Sequence, residues 1–352
     1  MKFFIAGGGT GGHFYPALAV AEELKKRGAK IYYFGTEKGI ESKKDFPSEK
    51  KFLYNITGVR GKNSLHAVLS GYKLLRTSLS IAKIVKKEKP DAVLCFGGYT
   101  SVPLGLAAVM TGVPLFIHEQ NSVPSYANLF LSKFAKKIFL TFDYSKKFFS
   151  EKKAVVTGLP VRKQIKDDIN EEKTIARKKL GLKDKKTVLI FGGSQGSKRL
   201  SQIGFELAKN LRDIQFIVIG GKHYQKPSHI PENSYYFEYI DRIGLAYASS
   251  DIVISRSGAS STYEIMLSGK FAIFVPYPYA ASDHQFFNVF WLEEKGLCKV
   301  IRESDLSVEN IIPVLKSEEL PLKKIEKGLK NLSVYDSEKI IVDRMLDELD
   351  KL

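Results

Sequence analysis

The stretch TVLIFGGSQGSKRLSQIGFELAKNLRDIQFIVIGG, residues 187–221, runs from an apolar strand through a glycine loop and a helix into a second apolar strand ending in glycine. Leu200, Ile203, Leu207 and Leu211 give its helix an apolar stripe at helical spacing. The chain opens in the same way, with KFFIA, then GGGTGGH (7–13), then a helix and the strand KIYYFG. Gly7 and Gly35 stand 28 positions apart, and so do Gly192 and Gly220. Two βαβ units of one length, each opening its own half, predict an α/β fold of two Rossmann-like doubly wound domains. The expected ranges are 1–161 and 162–335, with the charged stretch 163–186 carrying the linker and an early helix of the second half.

A chain of 352 residues suits two domains, and 44% hydrophobic with 26% charged residues is the balance of a water-soluble globular protein. The short apolar run after Lys2 is too brief for a signal peptide. Residues 92–117 carry no charge, yet Gly97, Gly98, Pro103, Gly105, Gly112 and Pro114 cut them into strand, loop, helix and strand lengths rather than a membrane span. Cys95 and Cys298 lie far apart, so neither a disulfide framework nor a metal-ligand spacing is visible. The net charge of +17 draws polyanions. Without a helix-turn-helix or RNA-binding signature, nucleic acid is not the expected partner. Residues 65–87 instead mix apolar and basic side chains as an interfacial helix does, which points to contact with an anionic membrane surface through Leu65, Val68, Leu69, Tyr72, Lys73 and Arg76.

The opening loop contains G-x-G-x-x-G as Gly7, Gly9 and Gly12, after a strand and before a helix, where backbone N–H groups can receive a phosphate. A nicotinamide dehydrogenase would want an acidic residue closing the second strand, and that strand ends Phe34-Gly35-Thr36. The second loop is no P-loop, since Lys198 does not directly follow Gly196. Two glycine loops, one per half, suit two phosphorylated ligands, as glycosyl transfer from a nucleotide sugar to a phosphorylated acceptor requires. No Asp-x-Asp pair occurs, so helix N-termini and an arginine are expected to neutralise the departing diphosphate, with no metal or other cofactor.

The ordered set GGGTGGH, GGY (97–99), HEQN (118–121), TGLPVR (157–162), GGSQGS (192–197), SRSGA (255–259) with Glu264, and DHQ (283–285) with Asn288 resembles the MurG family along the whole chain. This is the family of N-acetylglucosaminyltransferases that convert lipid I to lipid II in bacterial peptidoglycan synthesis. The resemblance implies a GT-B glycosyltransferase architecture, with the last helix, about 336–352, returning to the first domain. It implies an enzyme on the cytoplasmic face of the cell membrane that inverts the anomeric centre as it joins N-acetylglucosamine to the 4-hydroxyl of the muramyl sugar. UDP-N-acetylglucosamine would be held by Thr10, Gly11, Gly12, Asn121, Arg162, Ser194, Ile240, Ala259, Ser260, Glu264 and Gln285. Within that set, Arg162 and Ser194 would meet the diphosphate, Glu264 the ribose diol, the Ile240 backbone the uracil, and the two amides the sugar. Lipid I would lie against Gly8, Gly9, His13, Gly97 and Tyr99. His13 is the candidate base, because an imidazole is neutral at neutral pH, and Glu119 is the alternative. Departures from the family pattern are Ser261, where a threonine is usual, and Phe286, where some relatives carry a second glutamine. A UDP-sugar epimerase, or a transferase to another lipid, would share the two-domain frame.

Overall fold

KFFIA places Phe4 and Ala6 on one face of a strand and Phe3 and Ile5 on the other, so both faces need cover, as in a parallel sheet wrapped by helices. A computed structural model describes residues 1–56, 64–193, 196–222 and 224–351, without the side chains of residues 64–69. The chain divides into two units, Met1–Arg162 with Asp336–Leu352, and Lys163–Tyr335.

The first unit holds β1 (Lys2–Ala6), β2 (Lys30–Thr36), β3 (Lys50–Tyr54), β4 (Ala92–Cys95), β5 (Leu115–Glu119), β6 (Lys137–Leu140) and β7 (Ala154–Val156). They form one parallel sheet in the order β3-β2-β1-β4-β5-β6-β7. Helices α1 (Gly11–Lys26), α2 (Ser64–Glu88), α3 (Val102–Thr111) and α4 (Tyr126–Ser132) connect the strands. Phe4 and Ala6 pack with Ile81 and Val85 of α2 and Leu104 and Ala107 of α3. On the opposite face, Phe3 and Ile5 pack with Ala17, Val20 and Leu24 of α1. The uncharged stretch 92–117 is thus β4, a glycine turn, α3 and most of β5, and among the described residues no helix is long and apolar enough to cross a membrane.

The second unit begins with α5 (Lys163–Ile169) and α6 (Lys173–Lys179), so the charged stretch expected to carry the linker and an early helix holds two helices and belongs to this unit. The reason is a buried arginine. Arg177 donates to Asp184 at 2.5 Å, to Asp251 at 2.8 Å and to the Ser249 carbonyl at 3.1 Å, while Ala176 packs with Leu245 and Ala248. Then follow β8 (Thr187–Phe191), α7 (Lys198–Asn210), β9 (Gln215–Ile219), β10 (Ser234–Phe237), α8 (Ile243–Ser249) and β11 (Ile252–Ser255). The unit continues through α9 (Ala259–Ser268), β12 (Phe271–Phe274), α10 (His284–Glu294), β13 (Lys299–Val300), α11 (Val308–Lys316) and α12 (Leu322–Leu332). Its parallel sheet runs β10-β9-β8-β11-β12-β13, the same winding as the first. The final helix, α13 (Ser337–Leu349), lies in the first unit, where Ile341, Val342 and Met345 complete the core beside α1.

In each sheet the strand order reverses beside the opening strand, between β1 and β4 and between β8 and β11. Crevices beyond the carboxyl ends of strands at such points are where open α/β sheets bind ligands. Both glycine loops leave from them.

Candidate active site

Four turns of the first unit interlock. The turn after β1 is tight, since a Cβ on Gly7 would stand 2.9 Å from the Cβ atoms of both Ala17 and Phe96. Gly9 takes φ +83°, and Thr10 is the extended residue before α1. The Thr10 hydroxyl lies 3.2 Å from His13 Nδ1, which places the imidazole in the first turn of α1. The His13 ring rests on the GGY turn: a Cβ on Gly98, at φ +70°, would be 3.3 Å from its Cε1. Tyr99 stands 3.8 Å from the corresponding position on Gly9. Gly9, His13, Gly97, Gly98 and Tyr99 are thereby brought together.

HEQN joins the same cluster from β5. Fully buried His118 donates from Nε2 to the Gly158 carbonyl at 3.1 Å, tying this loop to TGLPVR, and its Nδ1 accepts from the Gln120 amide at 3.0 Å. Both nitrogens are used by a neutral ring. Burial pushes the His118 pKa down to about 4, and the nearby His13 acts in the same direction. Asn128 wedges against Gly97, leaving 2.9 Å to a would-be Cβ, and donates to Glu119 at 2.8 Å. TGLPVR closes the ring, because the Arg162 guanidinium carbon lies 4.1 Å from the centre of the Tyr15 ring on α1. Arg162 Nε is buried with no hydrogen-bond partner among the described residues.

Glu119, the alternative base, is tightly held. It is 1% exposed, and its oxygens accept the backbone N–H groups of Asn121 at 2.9 Å and Ser125 at 3.1 Å besides the Asn128 amide. Burial raises its pKa against the pull of those donors. Such a carboxylate shapes a loop. Asn121 itself is half-buried beside it.

In the second unit the two ends of the βαβ repeat touch. A Cβ on Gly196, at φ +77°, would sit 2.3 Å from the Gly220 carbonyl, so this approach requires glycine. Ser194 lies outside the described residues. Ser197 caps α7, accepting from the Leu200 N–H at 3.4 Å, and is held by Arg256 at 3.2 Å. Buried Arg256 also donates to the carbonyls of Val275 and Pro276 and pairs with Glu303, joining the glycine loop to the exit of β12. Helix α9 starts at Ala259, and around that start Ser257, Ser260 and Thr262 bury hydroxyl oxygens that have no hydrogen-bond partner among the described residues. Glu264, in its second turn, accepts from the fully buried Tyr247 hydroxyl at 3.0 Å. Ile240 is half-buried in the loop between β10 and α8.

Before α10, Ser282 and Asp283 both hold positive φ, +53° and +49°, a conformation that non-glycine residues keep only under constraint. The constraint is bidentate: Arg302 donates to the two Asp283 oxygens at 3.0 and 2.9 Å, while its guanidinium covers the Phe286 ring at 3.8 Å. Phe286 is therefore the platform under Arg302. The Tyr277 N–H donates to Gln285 Oε1 at 2.9 Å, which fixes the orientation of the amide, and Asn288 donates to the Ser257 carbonyl at 3.0 Å. Arg256 and Arg302 were not singled out from sequence. Arg256 was visible only as a member of the SRSGA motif, and Arg302 carries no local signal.

On the outer face of the first unit, Tyr72, Leu75 and Leu79 of α2 are exposed in a helical stripe with Lys73 and Arg76. The side chains of Leu65, Val68 and Leu69 lie outside the described residues.

Residues 3–140 match the glycosyltransferase family 28 N-terminal domain, and residues 187–341 match the glycosyltransferase family 28 C-terminal domain. The UDP-N-acetylglucosamine–N-acetylmuramyl-(pentapeptide) pyrophosphoryl-undecaprenol N-acetylglucosamine transferase of Sulfurihydrogenibium sp. (strain YO3AOP1) is 50% identical, over 99% of this chain and 98% of its own. The protein of that name from Aquifex aeolicus is 37% identical over 98% of both chains. Among solved structures, Acinetobacter baumannii MurG superposes with a TM-score of 0.78 at 28% identity, covering 98% of this chain and 99% of the other.

The depressed pKa of His118 has a sign. The unfolded chain binds a proton near pH 6.5 and the folded chain near pH 4, so this group withdraws stability as pH falls between those values. In denaturant unfolding at a series of pH values, the stability gap between wild type and His118→Gln should narrow by at most about 1.4 kcal/mol per pH unit, roughly 3 kcal/mol in all. A gap that stays constant from pH 7 to pH 4 would mean that His118 is not a buried neutral imidazole.

Proposed function

The chain belongs to glycosyltransferase family 28, and from that premise we infer that it transfers N-acetylglucosamine from UDP-N-acetylglucosamine to lipid I, forming lipid II. The observation that carries the chemistry is His13, pinned between Thr10 and Gly98 at the switch point of the first sheet.

With Nδ1–H donating to the Thr10 hydroxyl, the Nε2 lone pair is the one that can take the proton from the muramyl 4-hydroxyl as it attacks the anomeric carbon. Direct displacement inverts that centre. The acceptor side comprises Gly8, Gly97 and Tyr99 with His13.

The nucleotide is assigned to the second unit. The start of α9 offers backbone N–H groups, the positive end of the helix and the hydroxyls of Ser257 and Ser260, unpartnered among the described residues, to the diphosphate, with Ala259 packed there and Ser194 assisting. Glu264, oriented by Tyr247, accepts the ribose hydroxyls, and the Ile240 backbone reads uracil. Gln285, its oxygen occupied by the Tyr277 N–H, is left to offer its NH₂ to the sugar. No metal is assigned a part in this scheme. The exposed apolar and basic stripe of α2 is assigned to an anionic membrane surface, making the enzyme peripheral on the cytoplasmic side.

Four measurements test these assignments. His13→Ala should keep UDP-N-acetylglucosamine affinity and lose turnover by roughly 10² to 10⁴, together with the acidic limb of the rate profile. Near-normal turnover in that variant moves the base elsewhere. Glu264→Ala should weaken UDP binding about ten-fold or more in calorimetry, as loss of a charged hydrogen bond requires, while chelation by EDTA leaves wild-type turnover intact. Unchanged UDP affinity removes Glu264 from the site, and turnover abolished by EDTA returns a metal to it. Binding to anionic vesicles should weaken with salt and on replacing Lys73 and Arg76 with glutamate, without change in UDP affinity. Equal binding to neutral vesicles removes the electrostatic part.

A further inference from the structure

Glu41 is a completely buried carboxylate in the short turn after β2, and no ion pair to it occurs among the described residues. Its charge is met by hydrogen bonds alone. One oxygen accepts the Gly9 N–H at 2.7 Å, and the other accepts the Thr36 N–H at 2.8 Å and the Thr36 hydroxyl at 2.7 Å. Three glycines make the space. A Cβ would stand 2.4 Å from the carboxyl carbon if built on Gly8, 2.7 Å from Cγ if built on Gly35, and 2.1 Å from Oε2 if built on Gly39. Burial and the Glu41 charge together push the neighbouring Tyr33 phenol up, and that phenol donates to the Gly7 carbonyl at 2.6 Å.

A buried charge without a cation is expensive to desolvate, and this one is spent on the loop that carries His13. It also takes the Gly9 N–H, one of the donors a phosphate would be expected to find in G-x-G-x-x-G, and sets a negative charge behind it. The loop is therefore braced from inside by its own anion. What remains for an acceptor is the first turn of α1 and the His13 ring.

We propose that Glu41 is a positioning residue of the transfer reaction: by holding the Gly9 N–H it fixes the turn from which Thr10 and His13 project toward the acceptor. This rests on the assignment of His13 as the base. Glu41 touches no substrate, so its removal acts through the loop.

Glu41→Gln is close to isosteric and makes the sharp test. The amide oxygen can still accept both Thr36 donors, but its NH₂ then faces the Gly9 N–H, donor against donor. Turnover should fall about 10- to 100-fold, while the affinity for UDP, measured by calorimetry, stays within two-fold of wild type. Amide hydrogen exchange across residues 7–13 should accelerate. Thr36→Val is the control: it deletes one Glu41 hydrogen bond and leaves the Gly9 contact, so turnover should stay within about three-fold of wild type. The proposal is overturned if Glu41→Gln turns over like wild type, if it loses UDP binding in step with turnover, or if Thr36→Val falls as far. A wild-type enzyme that fails to glycosylate lipid I overturns the functional reading instead. In that event unchanged exchange across 7–13 in Glu41→Gln would still remove the brace.

Discussion

Parallel strands buried on both faces have no surface to offer along their length, so a ligand held by the sheets must meet the turns at the strands' carboxyl ends. Both sheets obey that constraint, and the reversal of strand order beside β1 and β8 leaves their following turns without an overlying crossover. Everything placed in the candidate site hangs from those turns. The helices supply the positive ends of their dipoles, and the turns supply glycines where one backbone must approach another.

The interlocking is the second layer of the same design. In the first unit, Gly98 receives the His13 ring, Gly97 receives Asn128, Asn128 reaches Glu119, His118 reaches Gly158, and Arg162 lies over Tyr15. Four motifs scattered over some 150 residues thus contact one another in a closed circuit. In the second unit, Arg256 and Arg302 do the comparable work with charge, each donating to several acceptors of neighbouring turns.

Much of this was legible beforehand, for physical reasons that can be named. The strands are apolar runs bounded by glycine, and the equal spacing in the two halves reflects one βαβ geometry whose ends meet at Gly196 and Gly220. Less legible was the stretch 163–186, read as a linker and an early helix, where buried Arg177 is held by Asp184 of the same stretch and by Asp251 from 74 residues away. Glu119 and Glu41 are legible to opposite degrees. The first stands inside a functional motif yet spends its oxygens on backbone donors. The second stands in an ordinary polar turn, and the contact that gives it meaning lies 32 residues away. Ionised groups buried by long-range hydrogen bonds leave no periodic trace, so periodicity finds the scaffold before it finds the braces.

Helix α13 ties the chain's end to its beginning. Ile341, Val342 and Met345 cover part of the sheet face to which β1 contributes Phe3 and Ile5, although the whole second unit is threaded between them in sequence. During synthesis the ribosome must therefore finish the second unit before the first can seal its core. The nascent amino-terminal half waits with an apolar face uncovered, so an interrupted translation yields an aggregation-prone fragment rather than a spare folded unit.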